Sequence, residues 1–154
     1  MLLEYSLVRC GVIHPTRGHP SDAGLDVYYC PESPRGTEEQ LEPGFSAILP
    51  TGLRFGVPHG YMLEVKNRSS IASKRGLIVG ACVIDSGYDG EVFINLHNIG
   101  HETQTIKPGT KIAQLVLVPV IPFRAVHALK GNLYDLYPIT ISDRGAGALG
   151  STGE

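Results

Sequence analysis

Tryptophan is absent from this chain and cysteine nearly so, since Cys10, Cys30 and Cys82 are an odd number without metal-ligand spacing. Three such thiols make no disulfide framework, and reduced cysteines are the expectation. A surplus of charge is missing as well. Thirteen basic residues against fifteen acidic ones give a formal charge of −2, so no overall field favours nucleic acid or an anionic membrane, and any phosphate grip must be local. No apolar run approaches the roughly 20 residues that cross a bilayer. The opening Met1-Leu2-Leu3-Glu4 lacks the basic-then-apolar layout of a secretion signal, which points to a cytoplasmic protein without membrane contact. The six histidines make no metal set, because Gly100 and a predicted strand end keep His97 and His101 off a common helix face. Neither a Gly-x-Ser-x-Gly elbow nor a cysteine with His and acid partners is present, so covalent catalysis has no support.

Glycine and proline are plentiful instead. Nineteen Gly and eleven Pro punctuate short apolar runs, the rhythm of an all-β chain rather than of long helices. Strands are predicted at 2–9, 25–29, 45–49, 53–57, 61–66, 77–84, 91–97, 102–106, 112–121 and 123–127, with one helical turn at 70–75 too short to stand alone. At 154 residues the chain suits one domain, 1–154, burying roughly two-thirds of its unfolded surface. The segment 31–43, with three prolines and four glutamates, reads as a solvated loop. The Gly-rich end, 143–154, reads as a mobile tail.

The stretch 77–96 carries the strongest chemical signal. Asp85 ends an apolar strand beside a turn; Ser86-Gly87 and Asp89-Gly90 flank Tyr88, and Val92, Ile94 and Leu96 then alternate with Glu91, Phe93 and Asn95, so the whole reads as a hairpin with an acid at its tip. Just upstream, Arg68-Ser69-Ser70 offers a fork-shaped cation and two hydroxyls, groups that hold phosphate oxygens or orient an acid. Gln114 places a polar amide between Ile112 and Val116, to be satisfied by backbone or by a ligand. Turn chemistry accounts for Asp22 but less well for Asp26. In the tail, Gly145 and Gly150 have phosphate-loop spacing, yet Ser151 stands where that motif needs lysine. Arg144, backbone amides and the Ser151-Thr152 hydroxyls remain suitable anion ligands.

Taken in order, these segments resemble the five motifs of the trimeric deoxyuridine triphosphatase (dUTPase) family. Ala23-Gly24-Leu25-Asp26-Val27 is similar to the first, and Arg68-Ser69-Ser70 with Lys74 and Gly76-Leu77 to the second. The run from Gly80 through Asp85-Ser86-Gly87-Tyr88-Asp89-Gly90 resembles the third, Gly109-Thr110-Lys111-Ile112-Ala113-Gln114-Leu115 the fourth, and Arg144-Gly145 with Gly150-Ser151-Thr152-Gly153 the fifth. The resemblance implies a jelly-roll-like distorted β-barrel in a homotrimer, each active site completed by a neighbour's tail. It implies cleavage of dUTP to dUMP and pyrophosphate by water attack on the α-phosphorus. Asp85 would be the base, with Arg68 and Gln114 also catalytic. Arg68, Ser69, Ser70, Lys111 and Gln114 would meet the phosphates. The backbone at Val83 and Ile84 would read the uracil, Tyr88 would exclude a 2′-hydroxyl, and Phe93 would join the same pocket. From the tail, Arg144, Leu149, Gly150, Ser151 and Thr152 would close over the substrate. Mg²⁺ would be held chiefly by phosphates and water, with Asp26 as an outer-shell acid.

Three positions depart from the family pattern. Leu149 stands where an aromatic usually stacks on the base, which predicts weaker base clamping. Asn67 replaces a usual proline and should loosen its loop, and Cys82 replaces a usual glycine and should add bulk near the base. A deoxycytidine triphosphate deaminase shares the fold but needs a glutamate where this chain has Asn95, and a non-catalytic nucleotide sensor would not need Asp85.

Overall fold

The computed structural model describes residues 1–33, 37–129 and 133–138. The chain divides into two compact units, Met1–Pro122 and Phe123–Glu154. The described part of the second unit contains neither strand nor helix. It presents Phe123, Val126, Leu129, Leu136 and Tyr137 as exposed apolar side chains.

The first unit is all β apart from one short helix. In chain order the strands are β1 (Glu4–Leu7), β2 (Leu25–Tyr28), β3 (Glu39–Leu41), β4 (Ser46–Pro50), β5 (Leu53–Gly56) and β6 (Tyr61–Lys66). Helix α1 (Ser69–Arg75) follows, and then β7 (Leu77–Val79), β8 (Val83–Asp85), β9 (Phe93–Asn98), β10 (Gln104–Ile106) and β11 (Lys111–Pro119). They pair, all antiparallel, as β2-β11-β6-β8, as β4-β9-β7, and as the ribbons β1-β5 and β3-β10, the all-β build that the composition suggested and the jelly-roll-like arrangement that the resemblance implied. Alternation builds the core. In β9 the side chains of Ile94, Leu96 and Asn98 point inward while those of Phe93 and His97 point out, and in β6 Leu63 and Val65 are the inward pair. They meet Leu49, Leu53, Leu77, Ile106, Ile112 and Leu115 in one cluster. Buried Asn98 is satisfied, because its Nδ2 donates to the carbonyls of Leu41 and Glu102, each at 2.8 Å, and its Oδ1 accepts from Gly100 N at 2.9 Å.

Three expectations change. The single strand predicted over 77–84 is two strands in different sheets, with β7 on β9 and β8 on β6. The chain crosses between them at Gly80, where a Cβ would lie 2.2 Å from His97 Nε2 and push that ring aside. The 31–43 loop contains β3, which an apolar-period reading passed over because only Leu41 of its three residues is buried. The segment 123–127 has no strand; its alternation of apolar residues is not matched by a ladder partner, and a strand needs one.

Candidate active site

The register of the four-stranded sheet assembles the first half of the site. Asp26 on β2 lies opposite Gln114 on β11, and Tyr28 lies opposite Lys111. Two residues on one strand therefore face three on the other, and the irregularity between Lys111 and Ala113 absorbs the extra residue. The bulge buries both Ile112 and Ala113 yet returns Lys111 and Gln114 to the same outer face, which regular alternation over three residues would forbid. A cavity of about 440 Å³ results, lined among others by Gly24, Asp26, Arg68, Ser69, Lys111 and Gln114.

Charge is concentrated on that surface. Asp26 is only 8% exposed. Its Oδ1 accepts from Arg68 Nε at 2.7 Å, and its Oδ2 from Arg68 Nη2 at 3.4 Å and from Lys111 Nζ at 2.9 Å. Lys111 also lies over the Tyr28 ring, 5.7 Å from the centroid. The hydrogen bond that Lys111 donates to Asp26 raises the Lys111 pKa, partial burial opposes it, and the carboxylate's charge adds to the rise. Asp26 thus holds two cations, and with Asp22 also on the lining the formal charges balance; what the cavity offers an anion is local, the donors of Arg68 and Lys111 beside the Ser69 and Ser70 hydroxyls. Gln114 Nε2 donates to the Asn67 carbonyl at 2.8 Å, satisfying the amide through backbone, while Ser69 and Ser70 stand exposed on α1. Gly24 leaves room for the Gln114 amide, since a Cβ there would fall 1.9 Å from its Oε1 and displace it. Asp22 serves its turn, accepting from His19 N at 2.8 Å.

The second half lies at the end of β8. A smaller cavity of about 220 Å³ is lined by Val83, Ile84, Asp85, Tyr88, Glu91, Val92 and Phe93. Asp85 is exposed, and among the described residues no side chain pairs with its carboxylate. The turn closes through Tyr88 N to Asp85 O at 3.2 Å, with Gly87 at φ +87°, a backbone that glycine adopts without strain. Asp85 is opposite Met62 on β6, whereas Lys66, four residues along that strand, is abreast of Gln114 and Asp26. Four residues along a strand and three strand spacings across put Asp85 on the order of 20 Å from Asp26 within one chain, both on the same sheet face.

Of the residues read from sequence, Arg68, Ser69, Ser70, Gln114, Lys111 and Asp26 come together at the larger cavity, and Val83, Ile84, Asp85, Tyr88 and Phe93 at the smaller. Arg68 in this chain is spent on Asp26 rather than on Asp85. Arg144, Leu149, Gly150, Ser151 and Thr152 lie outside the described residues. Two details differ from the sequence reading. Asn67 does not merely loosen its loop, because its Oδ1 accepts from Val79 N at 2.7 Å and pins the segment, a bond that proline could not make. Cys82 does not line the smaller cavity; its carbonyl instead accepts from Val65 N at 2.8 Å. Sequence reasoning passed over Tyr28, whose only signal was its alternation with Asp26.

A cavity that presents Arg68 and Lys111 to phosphate oxygens, with a narrow half-apolar slot and a carboxylate unpaired among the described residues on the same sheet, is the equipment of a β-barrel that handles nucleoside polyphosphates. A family model described as dUTPase matches residues 11–152, and the chain belongs to the dUTPase family. A curated relative, the deoxyuridine 5′-triphosphate nucleotidohydrolase of Aromatoleum aromaticum, is 38% identical over 143 residues, 91% of this chain and 88% of the relative. Among solved structures, the dUTPase of Staphylococcus bacteriophage 80alpha with dUPNHPP matches with a TM-score of 0.81 at 26% identity over 99% of both chains. A mutant dUTPase from phage phi11 of S. aureus, whose structure concerns coordination of a structural Mg(II) ion, matches with a TM-score of 0.73 at 26% identity, covering 84% of this chain and 97% of that one. No helix among the described residues is long and apolar enough to cross a membrane.

Proposed function

We propose that this chain hydrolyses dUTP to dUMP and pyrophosphate, which limits uracil entry into DNA and supplies dUMP. The observation that carries the reading is Asp85: an exposed carboxylate without a side-chain partner among the described residues, at the mouth of a slot formed by Val83, Ile84, Tyr88 and Phe93. Asp85 takes a proton from a water whose oxygen attacks the α-phosphorus, and the bond to the bridging oxygen breaks as pyrophosphate leaves. A positioned base of this kind contributes about 10²–10⁴-fold. Arg68, Lys111, Ser69 and Gln114 hold the phosphate chain and offset its developing charge, and the Tyr88 ring takes the deoxyribose and rejects a 2′-hydroxyl.

The reading also calls for more than one copy. A base must come within hydrogen-bond reach of the attacking water, and a separation on the order of 20 Å between Asp85 and the phosphate cavity of the same chain supports a site built from the slot of one subunit and the cation cavity of another. A homotrimer with the 143–154 tail of a neighbour closing each site meets that need. The reaction belongs in the cytoplasm, or in a host's cytoplasm for a phage-encoded chain.

Magnesium fits this donor set only as a substrate-borne ion. Among the described residues no group of three or more His, Cys, Asp or Glu could hold a metal, and Asp26 is already shared between Arg68 and Lys111. A carboxylate in that position can accept from waters on a hydrated Mg²⁺ held by the triphosphate, as an outer-shell partner. The ion would neutralise phosphate charge. The test is pyrophosphate release from dUTP, dCTP, dTTP and UTP, with Asp85→Asn alongside. Selective dUTP cleavage that falls at least about a hundredfold in the variant, with dUTP binding kept, is the expected result; binding without cleavage by the wild type would turn the reading to a nucleotide sensor.

A further inference from the structure

Tyr88 is held by a chain of contacts that starts at the wall of the smaller cavity, which includes Glu91, and leads away from it to Arg9 and Gly52. Its Oη donates to the Glu91 carbonyl at 2.8 Å, and its ring folds back across Gly90, where a Cβ would sit 2.4 Å from Oη and 2.5 Å from Cζ. The ring position is therefore set by the place of Glu91. That residue is fixed through its side chain. Arg9 Nη1 lies 3.0 Å from each carboxylate oxygen, and Gly52 N donates to Oε1 at 2.7 Å. Arg9 is in turn anchored by donation from Nη2 to the Cys30 carbonyl. The ion pair is well covered, its side chains 19% and 12% exposed, whereas the other pair on this turn, Arg54 with Asp89 at 3.6 Å, is 44% and 93% exposed. A covered ion pair with further hydrogen bonds to both partners holds geometry where an exposed one contributes little.

We infer that Arg9 and Glu91 are positioning residues for sugar discrimination: the Arg9–Glu91–Gly52 clamp holds the Tyr88 ring where a 2′-hydroxyl would collide with it. The inference rests on the dUTP reading and adds to it Glu91, on the slot wall, and Arg9, which lines neither cavity of the site. Asp85 is less dependent on the clamp, because β8 is held by its own ladder to β6 through Met62, Leu63 and Glu64. Loosening Glu91 frees the ring edge, while the base keeps its strand. Discrimination should thus fail before chemistry does.

The experiment compares kcat and KM for dUTP and UTP in the wild type, Glu91→Gln, Arg9→Met, Arg9→Lys, Tyr88→Phe and Arg54→Met, each with its melting temperature. The ratio of kcat/KM for dUTP over UTP should drop about tenfold in Glu91→Gln, Arg9→Met and Tyr88→Phe, and in Arg9→Met, which lies outside the slot, kcat on dUTP should stay within about twofold of wild type. Arg9→Lys should restore part of the ratio, and Arg54→Met should leave it unchanged. Lower melting temperatures with an unchanged ratio would overturn the inference and leave the clamp a merely structural pair. Tyr88→Phe removes a single hydroxyl, so it keeps the question open to refutation even where the ion-pair variants fail to fold. Failure of the wild type to cleave dUTP would count against the hydrolase reading alone. The clamp would then be judged by the same ratio measured as binding of the non-hydrolysable α,β-imido analogues of dUTP and UTP.

Discussion

Replacing Asp26 by Asn tests whether one carboxylate organises the cation cavity. The substitution keeps the shape and one acceptor oxygen but removes the charge that both Arg68 and Lys111 face at 2.7 Å and 2.9 Å. Removing one partner from a buried ion pair costs about 3–5 kcal/mol. Here Arg68 and Lys111 keep 24% and 35% of their side-chain surface in water, so they recover hydration, and the loss belongs at the lower end, about 3 kcal/mol. For a chain of this size each kcal/mol shifts the melting temperature by about 2–4 °C, so the variant should melt about 6–12 °C lower. The two cations would also be left facing each other, a pair that a bound anion can relieve. The assay is thermal unfolding at one fixed protein concentration, with and without inorganic tripolyphosphate. Tripolyphosphate should stabilise Asp26→Asn more than it stabilises the wild type. A variant that melts within about 1 °C of the wild type would refute the reasoning, as would equal stabilisation of the two proteins.

Gly24→Ala should push Gln114 out of the cavity, since the new Cβ would lie 1.9 Å from its Oε1. We expect about 1 kcal/mol lost with the Asn67 bond in urea unfolding, and a KM for dUTP raised about tenfold with kcat less affected. Lys111, its pKa raised by Asp26, should contribute fully at any pH below the unfolded lysine value and lose that contribution only as pH climbs through the higher folded value. The gap in urea midpoint between wild type and Lys111→Met should therefore persist to alkaline pH, and a gap that closes below the ordinary lysine range would contradict the assignment. Leu149→Phe should lower the KM for dUTP at similar kcat by giving the base a broader apolar cover; an unchanged or higher KM would argue against a base contact at that position.

Much of this protein is written locally. The alternation in 61–66 and 91–97 and the apolar run over 112–121 marked three central strands, because a half-buried strand alternates and a well-covered one is apolar throughout. Asp85 beside Ser86-Gly87, the Arg68-Ser69-Ser70 run and Gln114 inside an apolar strand were legible for the same reason, since a polar group out of pattern calls for a partner. Where a run of apolar residues could serve two sheets, the pattern was silent. Residues 77–84 look like one strand, and only the pairing of β7 with β9 and of β8 with β6 reveals the crossing. The segment 123–127 alternates too, but alternation alone supplies no hydrogen-bonding neighbour.

The partners within the site were decided by tertiary structure alone. Asp26 meets Arg68 from 42 residues away and Lys111 from 85, and a bulge in β11 brings Lys111 and Gln114 to one face. Arg9 clamps Glu91 across 82 residues, and Asp85 lies four residues out of line with the phosphate cavity along β6. By itself the sequence determined which residues could do chemistry, since that depends on side-chain type and local period. Which of them do it together depends on strand register and close packing, and these are long-range quantities that no local window contains.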